Sequence, residues 1–118
     1  MNIFLFKKVK DSVVQWLKDN NENFKSKGIV IEVIKDTEDC LIIDLKFGEN
    51  FACIIVEMPS FAPYRFVCFE MGDIVNGAHE MIYAWYDNES NTIEDIIENL
   101  NKSISTVLKY NDKISQQK

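Results

Sequence analysis

Two segments of the chain repeat apolar residues with the period of an α-helix. Over residues 8–26 the apolar positions share one helical face, and they are Val9, Val13, Trp16, Leu17 and Phe24. Over residues 92–110 a longer stripe has the same period, and it contains Ile93, Ile96, Ile97, Leu100, Ile104, Val107 and Leu108. This pattern predicts one helix near each end of the chain. Gly28 should end the first helix, and a polar, frayed tail over residues 111–118 should follow the second.

Between the two helices, segments rich in β-branched and aromatic residues alternate with short polar connections. Five such segments predict strands: Ile29 to Lys35, Cys40 to Phe47, Phe51 to Met58, Tyr64 to Met71 and Glu80 to Tyr86. Prolines interrupt the pattern over residues 59–63, and residues 72–77 read as a longer connection. We therefore expect one α+β domain over residues 1–118. It should be a five-stranded antiparallel meander with both helices on one face of the sheet.

Side chains alternate across a strand, so each predicted strand divides into two rows. The more apolar rows should face the helices, and they contain Ile29, Ile31, Val33, Leu41, Ile43, Leu45, Phe47, Ala52, Ile54, Val56, Met58, Val67, Phe69, Met71, Met81, Tyr83 and Trp85. The opposite rows mix apolar and polar residues. Each of these rows contributes one carboxylate, and the five are Glu32, Asp44, Glu57, Glu70 and Glu80.

A sheet face that combines apolar side chains with acids is typical of a protein-docking surface. We predict a partner-binding site whose members are Glu32, Asp44, Glu57 and Glu70, with Phe66 and Tyr86 as aromatic anchors and Asp73, Asp87 and Glu89 as acidic loop contacts. The pattern leaves an alternative open, in which loops or a second copy of the chain cover this face.

The charge distribution is uneven along the chain. The formal net charge is −6, made of +3 over residues 1–27, −12 over residues 28–100 and +3 over residues 101–118. An acidic centre opposes nucleic-acid binding through phosphate contacts and favours a basic protein partner. Acids that simply keep a Phe-rich domain soluble would explain the same numbers.

No motif in the chain indicates a metal, a cofactor or a catalytic centre. Cys40, Cys53 and Cys68 have no paired metal-binding spacing, and His79 lies in a predicted loop without a patterned nucleophile. No apolar run approaches the ~18 to 20 residues that cross a membrane. We expect a non-catalytic cytoplasmic protein with reduced thiols, a monomer or a homodimer.

Three segments carry a resemblance to a known class of proteins. They are Pro63-Tyr64-Arg65-Phe66-Val67-Cys68-Phe69-Glu70, Tyr83-Ala84-Trp85-Tyr86-Asp87 and Thr92-Ile93-Glu94-Asp95-Ile96-Ile97. Together they resemble small immunity proteins encoded beside bacterial polymorphic toxins, in particular the group called TriTu, over about residues 60–110. The resemblance implies a protein that binds and neutralises one cognate toxin domain. A chaperone or adaptor for a secreted protein, and a small enzyme that uses His79 or an acidic pair, are the alternatives.

Overall fold

The computed structural model describes residues 3–48, 50–58 and 65–116. Its elements are α1 (Ile3–Ser26), β1 (Val30–Thr37), β2 (Cys40–Phe47), β3 (Asn50–Glu57), β4 (Val67–Val75), β5 (Ala78–Tyr86) and α2 (Ile93–Gln116). The described strands form one antiparallel sheet in the order β1-β2-β3-β4-β5, which confirms the predicted α+β meander. The predicted interruption over residues 59–63 and the predicted strand start at Tyr64 lie outside the described residues.

Both helices pack on the same face of the sheet, which we call the inner face. The Trp16 indole of α1 donates to the Asn101 Oδ1 of α2 at 2.8 Å, and Lys10 of α1 pairs with Asp36 of β1 at 2.7 Å. Between the helices and the sheet lies one apolar core, as the helical stripes and the apolar strand rows require. Its largest fully buried side chains include Phe6, Phe69, Ile29, Leu41, Ile43 and Leu45.

The first helix begins earlier than its predicted start at residue 8, because Phe6 extends the buried stripe by one turn. It ends at the predicted glycine. Gly28 has a φ of +79°, the amide of Gly28 donates to the Lys25 carbonyl, and the amide of Ile29 donates to the Phe24 carbonyl at 2.9 Å. These two bonds form a Schellman motif, which satisfies carbonyls that the helix leaves unpaired.

The second helix continues to Gln116, so the predicted end at residue 110 was wrong. Two side chains near the predicted end connect the helix to the sheet. The Tyr110 hydroxyl donates to the Asp73 carboxylate of β4 at 2.6 Å, and the Asn50 amide of β3 donates to Asn111 at 3.2 Å. These contacts hold the last turns against the sheet, and residues 111–116 contain no glycine or proline to stop them.

The last two strands form a longer hairpin than the sequence pattern predicted. Asn76 and Gly77 have φ values of +52° and +79°, and Val75 pairs directly with Ala78. This is the two-residue turn that Asn-Gly sequences favour. Residues 72–75 and 78–79 are therefore strand rather than loop, and His79 lies on β5 opposite Ile74.

Two bulges change which side chains share a face. In the β4/β5 ladder Met71 pairs with Tyr83 but Gly72 pairs with Met81, so Ile82 is an extra residue on β5. One extra residue reverses the alternation of side chains, and Met81 therefore lies on the outer face with 59% of its surface exposed. In β1 the register shifts between Val33 and Lys35.

The predicted inner-row assignments of Met81 and Val33 need correction for different reasons. Met81 lies on the opposite face because of the bulge. Val33 pairs with the buried Ile43 and so keeps the predicted inner face, but it belongs to the edge strand and remains 55% exposed. The bulge also moves Glu80 off the outer face, since it pairs with Asp73 and Asp73 contacts α2.

Candidate protein-binding face

The outer face of the sheet, opposite the helices, is organised in cross-strand rows. The central row, which we call the acid row, consists of Glu32, Asp44, Cys53, Glu70 and Ala84 on successive strands. One neighbouring row consists of Lys35, Ile42, Ile55, Cys68 and Tyr86. The other consists of Val30, Lys46, Phe51, Gly72 and Met81. Three of the predicted contact carboxylates therefore lie in one line between two mainly apolar rows.

The acid row places three carboxylates in one line, and the cations of this face, Lys35 and Lys46, lie in the two neighbouring rows. Glu32 and Asp44 are directly opposite one another on neighbouring strands, an arrangement in which like charges destabilise a sheet. Strands are ~4.8 Å apart, so the three carboxylates from Glu32 to Glu70 span about 14 Å. The ion pairs found within the described residues are Lys10 with Asp36 and Lys102 with Glu98, and neither includes the acid row.

Tyr86 lies on the outer face as predicted and supports one end of the acid row. Its hydroxyl donates to Glu70 Oε2 at 2.9 Å, and this hydrogen bond raises the pKa of Tyr86. Glu57 also lies on the outer face, at the end of β3, where the Cys40 thiol lies 3.9 Å from its Oε2. Both side chains are half-buried and already hydrogen-bonded within the fold, and they stay predicted contacts.

Each cysteine of the chain lies on the outer face beside a carboxylate. Burial, and then the nearby Asp44 and Glu70 carboxylates, raise the pKa of Cys53 to about 11. Burial and Glu70 raise the pKa of Cys68 to about 12. A thiol in such surroundings stays protonated near neutral pH and donates weakly to its carboxylate. Cys53 and Cys68 therefore act as weak hydrogen-bond donors to carboxylates of the acid row.

Alkylation rates should reveal this protonation at Cys53, which is only partly buried. A rise in pKa from 9.0 to about 11 leaves about 100-fold less thiolate at pH 8, partly offset by the greater nucleophilicity of a more basic thiolate. We expect iodoacetamide to modify Cys53 about 10-fold more slowly in the folded protein than in urea, as measured by peptide mass spectrometry. The folded rate should rise steeply up to about pH 11. A slow rate that does not change with pH would instead indicate restricted access.

Two predicted contacts, Phe66 and Asp73, are buried on the inner side. Phe66 is 7% exposed, and its ring packs edge-on against Phe6 of α1 at 5.7 Å between centroids. Its position before the first ladder pair of β4 explains why simple alternation misplaced it. Asp73 is 9% exposed and accepts from Tyr110, because the long hairpin makes it a strand residue facing α2. Neither side chain can act as the exposed contact that the sequence predicted.

Asp87 is buried as well, and its carboxylate organises the backbone before β4. Its Oδ1 accepts hydrogen bonds from the amides of Arg65, Phe66 and Val67 at 2.8, 2.8 and 2.9 Å. Only 2% of Asp87 is exposed, so its predicted role as a loop contact was wrong. Glu89 is exposed in the turn after β5, outside the sheet.

Two of the depressions found in the described parts of the chain lie on the outer face, and the sequence predicted neither. One, of about 270 Å³, lies beside Asp44, Lys46 and Phe51. The other measures about 320 Å³ and lies around Gly72, between Phe51, His79, Met81 and the Glu70 end of the acid row. Its walls follow from the hairpin and the bulge, which bring His79 and Met81 to this face. The Asn76-Gly77 dipeptide could have revealed it, because that dipeptide is a strong signal for a two-residue hairpin.

A larger groove, of about 510 Å³, lies between the two helices. Trp16 and Ile97 are among its apolar lining residues, and Asp19, Glu94 and Glu98 are its carboxylates. Asp19 accepts from Gln15, and Glu98 pairs with Lys102 at 3.4 Å, so two of these acids have partners on their own helix. The acid row lines up three carboxylates across the sheet with no ion pair found for them among the described residues, and this makes the outer sheet face the stronger candidate.

Within residues 3–48, 50–58 and 65–116, no group of three or more His, Cys, Asp or Glu side chains is arranged to hold a metal ion. Neither described helix combines the length and apolar character needed to cross a bilayer.

Comparison with known proteins identifies no relative. No protein-family model, curated protein or solved structure matches this chain. A functional assignment therefore depends on the surface of the protein itself.

Proposed function

We propose that this protein is a non-catalytic binding protein that captures a basic protein domain on the outer face of its sheet. In the more specific form of the proposal, it is an immunity protein that neutralises a cognate toxin domain in the cytoplasm of the producing cell. The acid row is the observation that supports this function. Charges that oppose one another within the fold become favourable when a partner supplies cations.

Apolar exposure on the same face supports a protein partner over a small charged ligand. Val30 is 63% exposed, Met81 is 59% exposed and Ile74 is 58% exposed, and the Phe51 ring is 39% exposed. Contiguous apolar surface with charged residues beside it is the composition of protein interfaces. Phe51, Ile74 and Met81 lie on the neighbouring strands β3, β4 and β5, whereas Lys46 of β2 separates Val30 from Phe51.

The resemblance to immunity proteins agrees with this surface. Neutralisation requires tight and fast capture rather than chemistry, and an acidic surface accelerates association with a basic partner. A toxin domain that acts on nucleic acid would itself be basic, because it must approach phosphates. The acid row would then cover the surface that such a toxin uses.

Co-expression with a candidate basic toxin domain from a neighbouring reading frame tests the proposed function. We expect growth to be restored by the native chain and the two proteins to copurify as one complex. Failure of the pair to associate, or continued growth arrest when the chain is expressed in excess, would contradict the proposal. A stable homodimer that binds an extended, unfolded client instead would favour the chaperone alternative.

A further inference from the structure

We infer that the depression around Gly72 receives an arginine side chain of the partner, with Glu70 as its carboxylate. This inference rests on the proposed function, because it names the chemical group that the partner presents to the outer face. The depression would then hold the central contact of that interface. No sequence motif marks this position.

The shape of the depression depends on the missing side chain at Gly72. A Cβ atom at this position would lie 2.9 Å from the Cε2 and Cζ atoms of the Phe51 ring, so Phe51 lies directly against the glycine backbone. The His79 ring meets the Phe51 ring edge-on at 5.6 Å between centroids. Two aromatic rings and the Met81 thioether therefore surround a space that a larger residue would close.

The chemistry of the walls selects a flat cation. Aromatic faces attract a guanidinium both by stacking and through their negative potential. Glu70 closes one side and accepts from the Tyr86 hydroxyl at its Oε2, and the Cys53 and Cys68 thiols lie close to the same carboxylate. Both thiols stay protonated and so add no charge to this wall. A thiol is a weak donor, so an incoming guanidinium can replace it at the carboxylate. A guanidinium can stack and donate to a carboxylate at the same time, which a lysine ammonium cannot do.

Charge complementarity favours this occupant over a second copy of the chain. The depression lies at the end of a row that already carries Glu32 and Asp44, so a copy of the same acidic face would add repulsion. The chain itself contains only one arginine, Arg65, and the Arg65 guanidinium lies over the Phe66 ring at 4.8 Å. The repulsion between two acidic faces and the contact of Arg65 with Phe66 both favour an arginine from a different protein.

Titration of the labelled protein with N-acetyl-arginine amide, followed by amide NMR, tests the inference without any toxin. We expect the amides of Phe51, Gly72, His79 and Met81 to shift together and to saturate at millimolar ligand. N-acetyl-citrulline amide has the same shape without the charge, and we expect it to cause little change. N-acetyl-lysine amide should bind at least about three-fold more weakly than the arginine compound.

Single substitutions test which side chains bind the arginine compound. Glu70→Gln should weaken arginine binding about five-fold or more, since the amide keeps the size but loses the charge. Glu38→Gln removes an exposed carboxylate in the turn between β1 and β2, away from the depression, and should leave binding unchanged. Phe51→Ala should also weaken binding, and amide spectra of each variant report whether the sheet is intact. Equal binding of citrulline or lysine, or the largest shifts in the groove beside Trp16, would overturn the inference.

The two proposals can fail separately. If the arginine compound does not bind while the acid row proves necessary for toxin capture, the depression is not an arginine site and the proposed function stands. If the compound binds as expected while toxin capture does not depend on the outer face, the proposed function fails and the arginine site must serve another partner.

Discussion

Neutralising the acid row with Glu32→Gln, Asp44→Asn and Glu70→Gln should weaken binding of the proposed basic partner by about 100-fold or more, since each close charge pair across an interface contributes about 1.5 kcal/mol or more. The same variant should be more stable than the native chain. Glu32 directly faces Asp44, and removing this repulsion should raise the free energy of unfolding by about 0.2–1 kcal/mol. Calorimetric titration with the toxin domain and urea unfolding measure the two effects.

A variant that loses affinity for the partner but gains stability identifies a binding surface rather than a structural one. A matched control carries Asp11→Asn, Glu22→Gln and Glu38→Gln, which remove the same three charges from exposed positions away from the acid row. We expect the control to keep its affinity within about three-fold, because charges at a distance act mainly through the screened field of the whole protein. Equal losses in both variants would show that only net charge matters. An unchanged affinity in the acid-row variant would remove the outer face from consideration.

Replacing Asp87 by Ala should strongly destabilise the fold. Three backbone amides would lose the carboxylate as acceptor. Arg65 would keep the Asp87 main-chain carbonyl, at 3.2 Å, but the Phe66 and Val67 amides are buried and donate to the carboxylate. Unsatisfied buried donors cost about 1–3 kcal/mol each before relaxation, so we expect a loss of about 3 kcal/mol. For a domain of this size, that loss lowers the thermal midpoint by about 10 °C. Thermal unfolding monitored by circular dichroism measures it.

The neighbouring acid provides the control for Asp87. Glu89→Ala removes an exposed carboxylate two residues away and should change stability by less than about 0.5 kcal/mol. Asp87→Asn should fall between the two. Its amide oxygen can still accept the three hydrogen bonds, but its nitrogen would replace Oδ2, a buried atom for which the described residues provide no hydrogen-bond partner. Native stability with lost binding in Asp87→Ala would restore Asp87 as a contact residue.

The helices were predictable because their signals are local. A continuous apolar stripe requires one buried face, and Gly28 terminates α1 as its conformational freedom allows. The end of α2 was not predictable from such signals. Tyr110 and Asn111 are held by Asp73 and Asn50, which lie 37 and 61 residues away along the chain.

The strand rows were predictable where alternation is uninterrupted, and this includes the outer-face position of Glu32, Asp44 and Glu70. Alternation failed at the β5 bulge, since a single extra residue at Ile82 moves Met81 to the outer face and Glu80 away from it. It failed again at Phe66, which lies just before the regular part of β4. Residue type did not reveal either change.

The sequence by itself therefore determined the order of the elements, the helix-facing core and the acidic character of the opposite face, because these depend on local periodicity and composition. Only the tertiary structure decided which acids work together. Strand register aligned Glu32, Asp44 and Glu70 in one row, while hydrogen bonds across the fold buried Asp73 and Asp87. Register and burial depend on contacts between residues far apart in the chain, and local sequence patterns do not predict those contacts.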